Sequence, residues 1–191
     1  MKRILIFCNA LVALLLVALI VRTMAHKPMA VDVTEPVHIE LDASAMAERL
    51  SESIVFQTVS YQRPEDRDPA QFQAFIDWVR KTYPLLDSEL ELVMLNQTML
   101  YRWQGNDSAL APILVTGHYD VVPVIPGSEN RWQHPPFSGA IEDGFIWGRG
   151  ALDDKSGVLG ILEAVTYLLK NGHQPRRTLY LSFGHDEEIG G

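Results

Sequence analysis

Three short stretches of this chain, each apolar or rich in glycine, lead into imidazole or carboxylate side chains. Residues 113–115 precede His118, the glycine-rich residues 148–152 precede Asp153, and residues 178–183 precede the adjacent Glu187 and Glu188. Apolar runs of this length, bounded by polar residues or glycine, are typical of buried strands. Adjacent carboxylates at the end of a buried strand are costly unless a positive charge lies beside them. The pattern therefore limits the chain to folds that gather these strand ends around a cation.

The sequence predicts helices and strands that are mixed along the chain. The predicted elements are helices at 43–55 and 69–83, strands at 90–95, 99–103 and 113–116, a helix at 156–169 and a strand at 178–183. Uninterrupted apolar strands are expected in a sheet that is covered on both faces. The sequence therefore predicts an α/β fold with a mostly parallel sheet and helices on both faces.

The N-terminus predicts a membrane or targeting segment. Residues 4–21 carry no charge and are at the length threshold for crossing a bilayer. We interpret residues 1–25 as an uncleaved signal anchor or a cleaved signal peptide, with a buried core helix as the remaining alternative. Residues 26–41 are expected to form a linker, and residues 42–191 the catalytic part. This organisation predicts a catalytic part that is membrane-anchored outside the cytoplasm, or secreted.

Charge and cysteine content exclude some classes of function. The net charge is −8, and the first 27 residues hold four basic side chains and no acid. The remainder therefore carries −12, which argues against a nucleic-acid partner because such binding requires phosphate-neutralising cations. The single cysteine, Cys8, lies in the apolar N-terminal run, so the folded part is predicted to have no disulfide.

Topology predicts that three groups of polar side chains share one edge of the sheet. Ligands of open α/β sheets bind beyond the carboxyl ends of the strands. Imidazole and carboxylate groups gathered there suit a divalent metal such as zinc. The three groups are His118 with Asp120, Asp153 with Asp154, and Glu187 with Glu188.

The spacing inside these groups predicts separate tasks. In an extended segment His118 and Asp120 point the same way, so the aspartate can accept the second ring N–H of a metal-binding histidine. The Asp153-Asp154 pair supplies a carboxylate that can bridge two ions. Glu187 and Glu188 offer one metal ligand and one general base.

Each group also has an ordinary structural interpretation when taken singly. A His-x-Asp pair is commonly a surface pair, an Asp-Asp pair before a helix is commonly an N-cap, and a Glu-Glu pair after a strand commonly starts a helix. We expect Arg149 to hold the Asp153 loop through carboxylate contacts. His185 is expected to make a structural hydrogen bond, His134 to lie on a surface loop and His173 to lie near a helix end.

Taken together, the ordered motifs resemble a known family. They are Thr116-Gly117-His118-Tyr119-Asp120-Val121-Val122-Pro123, Trp132 with Pro136-Phe137-Ser138-Gly139, Gly148-Arg149-Gly150 with Asp153-Asp154-Lys155, and Asp186-Glu187-Glu188. They resemble the di-zinc metallopeptidase family of carboxypeptidase S, glutamate carboxypeptidase, aminoacylase and succinyl-diaminopimelate desuccinylase. The likeness is greatest for the carboxypeptidase S branch and the secreted N-fatty-acyl-amino-acid synthase/hydrolase.

The resemblance implies a zinc exopeptidase-like catalytic domain with two zinc ions. It implies that His118 binds one ion, Asp153 bridges both and Glu188 binds the other. Asp120 would orient the histidine. Glu187 would be the general base that deprotonates the attacking water and later protonates the leaving amine. A cis peptide bond between Asp153 and Asp154 is implied as well.

The resemblance also implies parts that this chain does not contain. Family members carry a further acidic ligand after the Asp-Glu-Glu motif, a late histidine ligand, and an inserted lid domain that often forms a homodimer. We therefore expect an N-terminal piece that is inactive alone. The implied function is hydrolysis of an amide bond in a small peptide or an N-acyl amino acid. The alternatives are a non-catalytic membrane-anchored fragment and a metal-dependent esterase or phosphatase.

Overall fold

The computed structural model describes residues 2–27 and 39–191. The chain divides into two compact units, residues 1–40 and 41–191. The first unit contains helix α1, Lys2–Ala25, which buries none of its residues and has a mean hydropathy of 3.1 over its most apolar 18-residue window. It is long and apolar enough to cross a membrane, and a signal sequence would have the same properties. Most of the predicted linker, residues 28–38, lies outside the described residues.

The second unit is built from four helices and six strands. Its helices are α2 Ala43–Val55, α3 Pro69–Thr82, α4 Pro84–Glu89 and α5 Lys155–Lys170. Its strands are β1 Glu91–Leu95, β2 Thr98–Trp103, β3 Ile113–His118, β4 Ile141–Glu142, β5 Phe145–Ile146 and β6 Leu179–Gly184. Strands β4 and β5 form a separate hairpin. The predicted helix at 69–83 is followed by the additional helix α4, which the sequence analysis did not identify.

The main sheet has the strand order β1–β2–β6–β3. Strand β2 pairs antiparallel with both β1 and β6, whereas β3 and β6 are parallel. Three of the four strands therefore run in one direction, and the sheet is mostly, not wholly, parallel. The reversed strand is β2, because the Asn96–Gln97 turn joins it to β1 as a hairpin, which requires antiparallel neighbours.

The hydrophobic core lies on one face of this sheet. Helices α3, α4 and α5 pack their apolar faces against Met99 and Tyr101 of β2 and Leu181 and Phe183 of β6. On the opposite face, side chains in the described part of the chain remain half-buried or exposed, and Leu114 of β3 is 62% exposed. The predicted helices on both faces are thus wrong for the described residues. Strand β3 is apolar but lies at the sheet edge.

A buried lysine joins the start of α5 to the end of α2. Lys155 Nζ donates hydrogen bonds to the backbone oxygens of Ser53 at 2.8 Å and Phe56 at 2.7 Å. The side chain is fully buried, and this burial lowers the pKa of the Lys155 ammonium to about 7. These bonds satisfy carbonyls at the C-terminal end of α2, where a helix leaves its acceptors unpaired.

Strand β3 and helix α5 come close together around the Asp154 side chain. Gly117 of β3 faces this carboxylate, and a Cβ atom there would lie 3.0 Å from Asp154 Oδ2. A Cβ atom at Gly157, in the first turn of α5, would overlap Asp154 Oδ1. The absence of a side chain at both positions therefore allows Asp154 to lie between the strand and the helix.

We expect alanine to have opposite effects at the two glycines of α5. Gly157→Ala should lower the free energy of unfolding by about 1–3 kcal/mol, because it forces Asp154 out of its packed position. Gly160→Ala, whose Cβ would meet nothing within 4 Å, should raise it by ~0.4–1 kcal/mol. Urea unfolding followed by tryptophan fluorescence reports on the second unit alone, which holds all four tryptophans. Equal effects of the two substitutions would contradict this close approach.

Candidate metal centre

Two neighbouring parallel strands and one helix start bring the polar groups together. Strand β3 ends at His118 and β6 ends at Gly184, and these two residues are register partners. Helix α5 lies between β3 and β6 in the chain and packs on β3. The loop before α5, which carries Asp153, and the turn after β6, which carries Glu187, therefore meet at the same sheet edge.

His118, Asp153 and Glu188 form a cluster suited to a metal ion. Each offers one ligand atom, and these atoms all lie within 4.8 Å of one another. His118 Nε2 is 3.1 Å from Asp153 Oδ1. The imidazole is largely buried while the Asp153 side chain is 76% exposed, so the cluster opens to solvent on one side. One imidazole nitrogen and two carboxylate oxygens form a donor set that zinc accepts.

Asp120 is buried and connects the two sides of this cluster. Its carboxylate accepts hydrogen bonds from the backbone N–H groups of Glu187 at 3.2 Å and Glu188 at 3.1 Å, and from the Ser60 hydroxyl at 2.6 Å. His118 Nδ1 hydrogen-bonds to the backbone oxygen of Asp120 at 3.2 Å and lies 3.3 Å from its Oδ1. Asp120 therefore orients the imidazole, and its carboxylate fixes the backbone of the paired glutamates.

The segment around Ser60 is a part of the site that the sequence analysis missed. Val59 forms a parallel bridge with Val121, and the Ser60 N–H donates to Val121 O at 3.0 Å. The Thr58 hydroxyl donates to Tyr119 O at 2.6 Å. Thr58 and Ser60 are buried, as expected for polar groups with satisfied hydrogen bonds. A single-residue bridge leaves no periodicity in the sequence that could have predicted this segment.

Glu187 lies beside the cluster. Its Oε2 is 3.6 Å from His118 Nε2, and its side chain is 64% exposed. Glu187 and Glu188 begin a short 3-10 helix that ends at Ile189, so their side chains leave the backbone in different directions. All five predicted site residues are therefore brought to one place, while their separate roles stay a prediction.

The electrostatics of the cluster reflect an excess of carboxylates. Burial by itself lowers the pKa of the His118 imidazole, but nearby carboxylates, chiefly Asp120, outweigh it and leave this pKa raised. Burial raises the pKa of the Glu188 carboxyl, and the Asp153 carboxylate raises it further. Both shifts favour bound protons where negative charge accumulates. A divalent cation among the same atoms would satisfy that charge without the protons.

Asp154 differs from Asp153 in its surroundings. The peptide bond between the two residues is cis, as the resemblance implies. Asp154 Oδ2 accepts the backbone N–H of His118 at 3.4 Å, a long hydrogen bond, so this carboxylate faces β3. Asp153 alone of the pair contributes to the three-residue cluster.

The remaining candidates lie away from the cluster. His185 Nδ1 is 2.7 Å from the Thr98 hydroxyl, which is the expected structural hydrogen bond. His173 packs on Trp103. The expectation that Arg149 holds the Asp153 loop is wrong for the described residues, where its guanidinium lies over the Trp132 ring instead.

Comparison with known proteins identifies similar sequences. Residues 114–191 match the profile of the family described as Peptidase family M20/M25/M40. The chain is 39% identical over 192 residues to a probable carboxypeptidase S-like 2 of Dictyostelium discoideum, covering 96% of this chain and 36% of that protein. It is 40% identical to the N-fatty-acyl-amino acid synthase/hydrolase PM20D1 of Xenopus tropicalis, covering 80% of this chain and 30% of that protein.

A solved structure shares the fold. The M20 family metallo-carboxypeptidase Sso-CP2 from Sulfolobus solfataricus superimposes with a TM-score of 0.60 and 25% identity, covering 78% of this chain and 32% of that chain. The chain spans about a third of the length of the curated relatives it matches. The strand-edge cluster lies within the matched residues. Residues 114–191 thus match the M20/M25/M40 peptidase family, and the chain is similar to a probable carboxypeptidase S-like protein.

Proposed function

We propose that this chain supplies half or more of the metal centre of a zinc-dependent amidohydrolase. The reaction would release an amine from a small peptide or an N-acyl amino acid. The observation that carries the proposal is the convergence of His118, Asp153 and Glu188 within 4.8 Å, with Glu187 at the rim. Similarity to a probable carboxypeptidase S-like protein and to an N-fatty-acyl-amino acid synthase/hydrolase supports the substrate class.

The donor set fits zinc, and the protein residues divide the work around it. His118, Asp153 and Glu188 would hold the metal. A bound zinc ion would polarise the scissile carbonyl and lower the pKa of a water molecule toward about 7. Glu187, which is exposed and ionisable, takes a proton from the attacking water and delivers it to the leaving nitrogen. Asp120 keeps the His118 Nδ1–H engaged, so that Nε2 is free to coordinate.

Three ligand residues would suffice to hold one zinc ion and leave room for a water molecule. The two-ion centre implied by the resemblance requires ligands beyond those gathered here. We therefore propose that this chain by itself binds about one zinc ion and does not turn over substrate. A non-catalytic, anchored role is the alternative that this ligand count favours.

Helix α1 supports a location at or beyond a membrane. Its length and apolarity suit a signal anchor or a signal peptide. We infer that residues 42–191 form the catalytic part, outside the cytoplasm in either case. A homodimer would require a lid domain of the kind that the resemblance implies.

Zinc stoichiometry tests the ligand count. The purified chain, freed of metal by a chelator and reloaded, should hold about one zinc ion per molecule. His118→Ala should abolish that binding, because it removes the only nitrogen donor of the cluster. His173→Ala, which removes a histidine outside the cluster, is the matched control and should retain the zinc. Elemental analysis giving nearly two ions would contradict the ligand count.

Replacement of the proposed base separates catalysis from metal binding. In a longer version of the protein with a complete ligand set, Glu187→Gln should lower kcat for an N-acyl amino acid by about 10²–10⁴-fold and leave the zinc content unchanged. Chelator should abolish the activity of the parent protein. Matched ester and phosphate ester substrates should react more slowly than the amide. Chelator-resistant hydrolysis, or a preference for the ester, would reject the amidohydrolase assignment.

Loss of the Ser60 hydroxyl should weaken zinc binding without removing a ligand. Ser60→Ala deletes the 2.6 Å hydrogen bond to the buried Asp120 carboxylate, which orients His118. We expect zinc affinity to fall by roughly 10-fold, measured by competition with a chromophoric chelator. Ser88→Ala, on the exposed side of α4, is the control and should leave the affinity unchanged. Equal affinities for both variants would remove Ser60 from the site.

A further inference from the structure

A cleft separate from the metal cluster lies in the long segment that connects β3 to α5. Its volume is about 550 Å³. Its lining combines indole rings and guanidinium groups with one aliphatic and two neutral polar side chains: Ile125, Ser128, Arg131, Trp132, Gln133, Trp147 and Arg149. No carboxylate is among these lining residues, although the chain as a whole carries a net charge of −8. The cleft is therefore a locally positive, aromatic surface on an acidic protein.

Arg149 is held in place without an anionic partner. Its guanidinium carbon lies 5.2 Å from the centre of the Trp132 ring, and its Nε is buried with no hydrogen-bond partner. Its backbone N–H donates to Pro136 O at 2.6 Å, which fixes the start of the side chain. A buried guanidinium nitrogen that lacks an acceptor is costly, so this site favours a ligand that supplies one.

The two arginines of the cleft have no carboxylate partner in the described part of the chain. Within the described residues, neither Arg131 nor Arg149 has a carboxylate within 4.0 Å, whereas Arg49, Arg80 and Arg176 each pair with an aspartate or glutamate. Arg67, outside the cleft, likewise lacks a carboxylate partner among these residues and lies over the Phe72 ring. In a chain with 24 acidic residues, two unpaired guanidiniums lining one cleft leave charge available for a ligand.

The Trp147 indole, which also lines the cleft, is held in place by the β4–β5 hairpin. Trp147 Nε1 donates to Glu142 O at 3.2 Å, and the His134 ring packs against the indole with a centroid separation of 5.0 Å. Glu142 of β4 directs its carboxylate at His134, with 3.5 Å between Oε2 and Nδ1. The indole is thus held in place, and the Glu142 carboxylate is directed at the imidazole.

We propose that this cleft binds an organic carboxylate with a flat or apolar body. The Arg149 and Arg131 guanidiniums bind the carboxylate, since their planar N–H groups match its two oxygens. The Trp132 and Trp147 rings pack against the body of the ligand. Inorganic phosphate would use the arginines but gain nothing from the indoles. The site uses none of the metal-cluster residues, so binding is independent of zinc and of the proposed hydrolysis.

Titration with a matched pair of probes tests the proposal. The full chain, kept metal-free with a chelator, is titrated with N-acetyl-phenylalanine and with its uncharged amide, and binding is followed by calorimetry and tryptophan fluorescence. The carboxylate should bind about 10-fold or more tightly than the amide, because only the carboxylate supplies the anionic acceptor. Inorganic phosphate should bind more weakly than the carboxylate probe. Equal binding of acid and amide, no binding of the acid, or tighter binding of phosphate would overturn the proposal.

Variants identify the residues involved. Arg149→Gln, Arg131→Gln and Trp132→Leu should each weaken N-acetyl-phenylalanine binding by roughly 10-fold. Arg176→Gln, which removes an arginine already paired with Asp107, should leave it unchanged. Arg131 is exposed and its replacement leaves the core intact, so this variant decides the outcome if Arg149→Gln does not fold. Retained affinity in Arg131→Gln, or equal losses in all the arginine variants including Arg176→Gln, would contradict the site.

Discussion

The candidate centre depends on one buried carboxylate. Asp120 is inaccessible to solvent. Its carboxylate accepts hydrogen bonds from one hydroxyl and two backbone N–H groups, and the His118 imidazole lies beside it. Burying a charge is unfavourable unless hydrogen bonds compensate for it, and here the compensating donors belong to separate segments of the chain. Folding of these segments around Asp120 therefore determines where the imidazole and the paired glutamates point.

The parallel pairing of β3 and β6 explains why distant motifs share one edge. His118 and Gly184 are register partners, although 66 positions separate them. Helix α5 returns the chain between the two strands, as parallel neighbours require, and its first turn carries the Asp153 loop to the same end. The cluster is consequently a product of strand direction, and the antiparallel strand β2 contributes core residues to the sheet but none to the cluster.

Local patterns predicted helices and strand ends well, and contacts between distant segments poorly. Helix α2 has the predicted bounds because its apolar spacing is visible in sequence, and the structure shows that the Asp42 carboxylate caps it by accepting the Ala45 N–H. The meeting of His118 with Glu188 followed from a topological rule. Ser60 was missed because its bond to Asp120 spans 60 residues and leaves no local pattern. The open sheet face was missed because an apolar strand such as β3 has the same sequence whether one face or both are covered.

The one-sided sheet has a consequence for handling this chain in solution. Leu114 is 62% exposed on a strand whose outer edge is unpaired within the described residues. Apolar side chains on a free strand edge favour pairing between copies of a protein. Self-association of the isolated chain should therefore grow with concentration and with sulfate, which strengthens the burial of apolar groups. Mild solubilising conditions will be needed to keep it monodisperse.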